Sequence, residues 1–146
     1  MEIVDRPDAV VLGLEVVAPF DELGTAVPAA WRRELFARAH ELPAAVEGRF
    51  AEASEHLGGG RYRETVGVLL AAPITPPAGM TAALLPAGRF VRHDVTGPVS
   101  GITDGFQRVY DWAAARGFTL GERKLDLGYT PDGRETAHQL YVDLVG

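Results

Sequence analysis

The sequence predicts an α+β fold: one antiparallel sheet carrying two helices on one side, built from two β-α-β-β halves. Three observations predict it. Residues 84–118, "LLPAGRFVRHDVTGPVSGITDGFQRVYDWAAARGF", read as a strand, a Gly-Pro turn and an amphipathic helix, and a similar order of events runs from Leu12 to about His40. At an offset of 75 residues, which carries Gly13 onto Gly88, Val27 meets Ile102, Trp31 meets Phe106 and Leu35 meets Tyr110. At the same offset the strand pattern of residues 66–70 meets that of residues 141–145. The match is one of pattern rather than identity. The halves span about 8–75 and 80–146 of a single domain, and the groove between two helices on one sheet is a natural ligand site.

Each element follows from local signals. Residues 10–17, "VVLGLEVV", are rich in β-branched side chains and are expected as a strand. "APFDELGTAVP" is expected as a loop leading into a helix, where Val27, Trp31, Leu35 and Ala39 recur at helical spacing. Pro28 suits the first turn of that helix. Pro43 lacks an amide hydrogen and ends it near Leu42. Residues 48–56 fit either a strand or a helical turn, with a strand preferred. Gly58, Gly59 and Gly60 make a turn, followed by a strand over residues 62–71. "PITPPAGM" is an irregular connection to strands at residues 81–85 and 88–95, with a turn at Thr96-Gly97-Pro98. Ile102, Phe106, Val109, Tyr110 and Ala113 form one face of the second helix, which Gly117 stops. Strands at residues 119–129 and 136–145 close the chain, and Asp132-Gly133 between them is a hairpin signal.

Composition narrows the function. The chain has 146 residues, enough for one domain with a real core. Its 47% hydrophobic and 23% charged residues are ordinary for a soluble globular protein. The net charge is −6, and basic residues fall in short pairs such as Arg32-Arg33 and Arg123-Lys124. A nucleic-acid binder shows a basic face instead, so nucleic acid is not expected as a partner. The absence of cysteine excludes disulfides, thiolate zinc sites and a cysteine nucleophile. The longest apolar stretch, "VGVLLAAPI", falls short of the roughly 20 residues of a membrane helix. No signal peptide is visible. A cytoplasmic protein with no membrane partner is expected. His40, His56, His93 and His138 come from separate elements without metal-ligand spacing, so no metal is expected. "HLGGGRY" lacks the ending of a phosphate loop and reads as a turn. No G-x-S-x-G elbow is present, and no cofactor is called for.

Four stretches carry a family resemblance: "VPAAWRREL" in the first helix, "MTAALLPAGRFVRHDVTGPV" in the strand and turn before the second helix, "FQRVYDWAAARGF" in the second helix and "LDLGYTPDGRETAHQLYVDLV" in the closing hairpin. Over nearly its whole length the chain resembles the GyrI-like effector-binding domain, also called SOUL-like. That domain occurs in drug-binding transcription regulators of the MerR and AraC types and in stand-alone gyrase-inhibitory proteins. Order and spacing carry the resemblance; no single motif is diagnostic. It implies two βαββ modules related by a pseudo-twofold axis, with a small-molecule cleft between them. Drug-binding members usually place a Glu two residues before a Tyr in the penultimate strand. Here Tyr129 is kept, but position 127 is Leu. Asp126 faces away from Tyr129 in a regular strand, and only a bulge would bring it round. Asp143 stands where the family has its final Pro.

The candidate ligand-binding residues are Trp31, Glu64, Phe106, Tyr110, Leu127, Tyr129 and Tyr141. Trp31, Phe106 and Tyr110 lie on apolar helix faces and serve either as core or as walls that stack on a flat ligand. Tyr129 and Tyr141 are strand phenols that need a hydrogen-bond partner if buried. Glu64 is either a replacement carboxylate for a cationic ligand or a general acid, or a plain neighbour of Arg63. No catalytic residue is assigned. A stand-alone domain binding a hydrophobic small molecule, aromatic by preference, is expected, in a sensing, sequestering or resistance role. Two alternatives stand behind it: a hydrolase of a reactive natural product using the same cleft, with Tyr129 assisting, and a gyrase-inhibitor-like protein acting on a macromolecular partner.

Overall fold

The computed structural model describes residues 1–44 and 50–146, so positions 48 and 49 of the expected strand at 48–56 lie outside the described residues. Eight strands form one antiparallel sheet: β1 (Glu2–Arg6), β2 (Ala9–Pro19), β3 (Phe50–Gly58), β4 (Arg61–Leu70), β5 (Thr81–Leu85), β6 (Gly88–Thr96), β7 (Thr119–Tyr129) and β8 (Ala137–Val145). Two helices interrupt them, α1 starting at Phe20 and α2 at Ile102–Ala115. The α+β prediction, with two helices on an antiparallel sheet, matches this architecture. No helix among the described residues is long and apolar enough to cross a membrane.

The sheet order is β1-β6-β8-β7-β3-β4-β2-β5. Exchanging β1 with β5, β2 with β6, β3 with β7 and β4 with β8 turns this order into its own reverse. The two halves are thus related by a pseudo-twofold axis that passes between β3 and β7. Each half also lends an edge strand to the other, β1 pairing with β6 and β5 with β2. β1 was not anticipated: its "EIVDR" pattern is short and charged, and the partner that makes it a strand lies far along the chain.

Helix α1 begins about two turns earlier than expected. It spans Phe20–Ala29, with Asp21 and Glu22 in the first turn, where the helix dipole favours acidic groups. Pro28 therefore falls inside the helix rather than at its start. It has no N–H for the hydrogen-bond ladder, and its ring crowds the preceding turn. The chain then widens into π-helical geometry over Ala30–Leu35 and tightens into 3-10 turns over Phe36–Glu41. The helical spacing still delivers Val27, Trp31 and Leu35 into one buried cluster with Leu14 and Val66.

Both helices cover the same face of the sheet. Trp31 packs with Val66, and across successive strands Val66 pairs with Glu52, Glu52 with Asp126 and Asp126 with Leu140. Gly105 of α2 lies so close over Leu140 and Val95 that a Cβ there would collide with both. The other face buries Val11, Ala51, Leu69, Leu85, Phe90, Leu125, Leu127 and Tyr141 against one another. Gly13 and Gly67 pair face to face, and a Cβ on either would strike the backbone of the opposite strand.

Candidate functional site

The two central strands, β3 and β7, lie between α1 and α2 and floor the groove between the helices. β3 pairs with β7 on one side and with β4 on the other, which stacks two polar rungs on the helix face. In one, Glu52 sits opposite Asp126. In the next, Ser54 sits between Glu64 and Lys124. Strand residues two apart share a face, so Glu52 with Ser54 and Asp126 with Lys124 point the same way.

A bulge completes the first rung. The β3–β7 register shifts between Phe50 and Ala51, and Gly128 takes φ +136. A side-chain-bearing residue rarely adopts that conformation. The extra residue puts Tyr129 on the same face as Asp126, three positions away, and the Tyr129 hydroxyl donates to Asp126 Oδ2 at 2.8 Å. Asp126 Oδ1 lies 2.8 Å from His138 Nδ1, and both residues are buried.

Above the floor, Trp31 stacks on Tyr129 with ring centroids 4.5 Å apart and on Phe36 at 5.2 Å. Its indole N–H donates to Glu52 Oε1 at 3.1 Å. On the other side of the groove, the Lys124 ammonium lies 5.3 Å from the Phe106 ring centre and 5.6 Å from those of Tyr110 and Tyr62. Glu64 is 4% exposed. Its Oε1 accepts from the Ser54 hydroxyl at 2.8 Å, while its buried Oε2 has no hydrogen-bond partner among the described residues.

Burial disfavours ionisation here. Burial and then the Glu64 and Asp126 charges hold the Glu52 carboxyl well above the usual carboxylate range. Burial also pushes Glu64 up, opposed first by the Ser54 hydrogen bond, then by the neighbouring Glu52 carboxyl and then by the Lys124 charge. The Tyr129 phenol is held well above its ordinary value, first by burial and then by Glu52 and Asp126. The floor is thus a set of carboxyl groups held in a poorly solvated place, a setting in which an incoming cation gains more than it would in water.

Of the seven candidate residues, the structure brings five to this groove: Trp31, Glu64, Phe106, Tyr110 and Tyr129. It turns the other two away. Leu127 is fully buried on the opposite face, because the bulge at Gly128 reverses the parity that a regular strand would give. Tyr141 pairs with Leu125 and lies on that same far face, edge-on to Phe90 and beneath the Arg6 guanidinium. Asp126 takes the place expected of Leu127. Glu52, Tyr62, Lys124 and His138 join the site without having been picked out. Alternation along β3 carries a signal for Glu52, since "FAEASEH" places Phe50, Glu52, Ser54 and His56 on one side once a strand is assumed.

At its first rung the groove is filled by Trp31, which rests on Tyr129 and bonds to Glu52. Shallow depressions of about 20 and 130 Å3 lie away from it, one beside Arg63 and Leu84 and the other beside Gly88 and Asp143.

No family model matches the sequence, and no curated protein does. Solved structures share the fold. An integron cassette protein from the mobile metagenome of Vibrio cholerae superposes with a TM-score of 0.76 at 10% identity, covering 99% of this chain and 95% of that one. A protein of Staphylococcus aureus MU50, described as a bacterial transcription regulation protein, gives 0.75 at 10% identity over 99% and 97%. The protein SAV2435, solved bound to tetraphenylphosphonium, gives 0.75 at 8% identity over 99% and 93%.

Proposed function

We propose that the protein binds a bulky, flat-faced hydrophobic organic cation in the groove between α1 and α2, in a sensing or sequestering role. The observation that carries the reading is the shared floor of Glu52, Glu64 and Asp126 beneath aromatic walls from both halves, Trp31 and Tyr129 on one side and Phe106 and Tyr110 on the other. Aromatic faces attract cations through the ring quadrupole. Carboxylates in a poorly solvated floor add a charge preference that aromatic walls alone lack. The reading is supported by the likeness to SAV2435, whose bound molecule is itself a hydrophobic cation. Because Trp31 rests on Tyr129 and bonds to Glu52, a ligand that reaches the first rung has to part them, which makes Trp31 a reporter.

The test compares tetraphenylphosphonium with tetraphenylborate, an anion of nearly the same size and shape. Saturable quenching of Trp31 by the phosphonium, at least about tenfold tighter than by the borate, is the expected result, a difference of about 1.4 kcal/mol. The quenching should vanish in Trp31→Phe. Asp126→Asn should weaken phosphonium binding about tenfold and leave borate binding unweakened. Equal affinity for the two probes, or no response to either in folded protein, would overturn the reading.

A further inference from the structure

Resting on that reading, we propose that Lys124 is a built-in occupant of the groove's cation site: its ammonium stands where a ligand's cationic centre would stand, and an incoming cation has to displace it. Tyr62 comes from β4 of the first half; Phe106 and Tyr110 come from α2 of the second. Their ring centres converge on one nitrogen at 5.6, 5.3 and 5.6 Å, all within the roughly 6 Å reach of a cation–π contact. One ring over a lysine is ordinary. Three rings from both sides of a groove make an aromatic cage, the arrangement that recognises alkylated ammonium groups.

The anionic side of that site is also present. Glu64 flanks Lys124 across Ser54 on the same rung, and its Oε2 is buried with no hydrogen-bond partner among the described residues. The Lys124 charge acts on Glu64 and counters part of its burial. The β7 register fixes Lys124 two residues from Asp126, so its ammonium belongs to the same floor as Glu52 and Asp126.

A tethered group competes at a high effective concentration. The consequence is selectivity. A small ammonium ion offers the cage nothing that Lys124 does not already supply, so it does not displace the lysine. A large lipophilic cation brings aromatic area that reaches Trp31 and Tyr129 as well, and it does. Lys124 thereby sets a size threshold on the cations the groove accepts.

The experiment measures tetraphenylphosphonium and tetramethylammonium binding to the wild-type chain, Lys124→Met and Lys124→Arg by calorimetry. Methionine keeps length and apolar stem without the charge; arginine keeps the charge. Lys124→Met should bind the phosphonium about tenfold tighter and acquire measurable tetramethylammonium binding, while Lys124→Arg follows the wild type. Wild-type protein that binds the phosphonium, with Lys124→Met no tighter, overturns the tethered-cation proposal and leaves the proposed function standing. Neither protein binding the phosphonium overturns both. A second measurement needs no variant. In the wild type, ring currents should move the Lys124 ε-methylene protons upfield of an exposed lysine, and added phosphonium should return them. An ordinary Lys124 resonance position without ligand would overturn the cage.

Discussion

Glu52 accepts the Trp31 indole N–H, shares its rung with Asp126 and lies near Glu64. Its carboxyl therefore keeps its proton to higher pH in the folded chain than in the unfolded one. The sign of the linkage follows. Below the unfolded value, near 4.5, both states are protonated and position 52 costs nothing. As pH rises from there to the raised folded value the unfolded state ionises first, so stability falls. Above the folded value the penalty is complete. Glu64 works in the same direction. Glu52→Gln keeps an acceptor for the indole and removes the charge, so it should raise Tm at pH 7 and leave it unchanged at pH 4. Every tenfold difference in proton affinity between the folded and unfolded chain is worth about 1.4 kcal/mol, or about 3–6 °C in a domain of this size. A gain that is equal at both pH values would mean that ionisation is not its cause. The same group predicts that affinity for an organic cation rises with pH as Glu52 ionises. An affinity for tetraphenylphosphonium that stays flat across the pH range in which the stability gain of Glu52→Gln grows would remove Glu52 from the site.

One glycine decides what β7 presents to the groove. With Gly128 bulged, Asp126 and Tyr129 face the helices and Leu127 faces away; in a regular strand Leu127 and Tyr129 would share a face. Gly128→Ala places a Cβ at φ +136 and against the Ala137 carbonyl oxygen. Backbone strain of this kind costs about 1–3 kcal/mol, and the collision adds to it. A urea melt should show at least about 2 kcal/mol of destabilisation. Phosphonium affinity should fall as the Tyr129–Asp126 bond is lost. A variant of wild-type stability would mean that β7 pairs without the bulge. The limits of the sequence reading are set at this scale. Alternation and helical spacing are local, so the strands at β2 and β4, the α2 face and the Val27–Trp31–Leu35 stripe were legible. A bulge depends on the partner strand, and nothing in "LDLGYT" alone distinguishes Gly128 as a bulge from Gly128 as a strand residue. The start of α1 was misplaced because a proline was read as a first-turn residue, whereas tertiary packing tolerates it mid-helix with a π turn after it. Lys124 passed as a scattered basic residue because its cage assembles only when β4, α2 and β7 meet.

At the scale of the molecule, the symmetry of strand order and the exchange of edge strands bear on cooperativity. β1 belongs to the first half but pairs with β6, and β5 belongs to the second but pairs with β2. The halves also join directly through β3 and β7, and Leu69 and Ala51 share one buried cluster with Phe90, Leu127 and Tyr141. Neither half can bury its apolar face or pair its edges alone, so the two should unfold together as one two-state unit. The chain carries its own probes. Trp31 lies in the first half, packed with Leu35 and Val66, and Trp112 lies in the second, against the Val91–Val109–Val142 cluster. In Trp31→Phe only Trp112 reports, and in Trp112→Phe only Trp31 does. For each variant, the fluorescence midpoint in urea should coincide with the midpoint from far-ultraviolet circular dichroism of the same protein. A fluorescence transition that precedes the dichroism transition in either variant would mean that one half opens while the other holds. The groove would then lie between two separately stable units rather than within one.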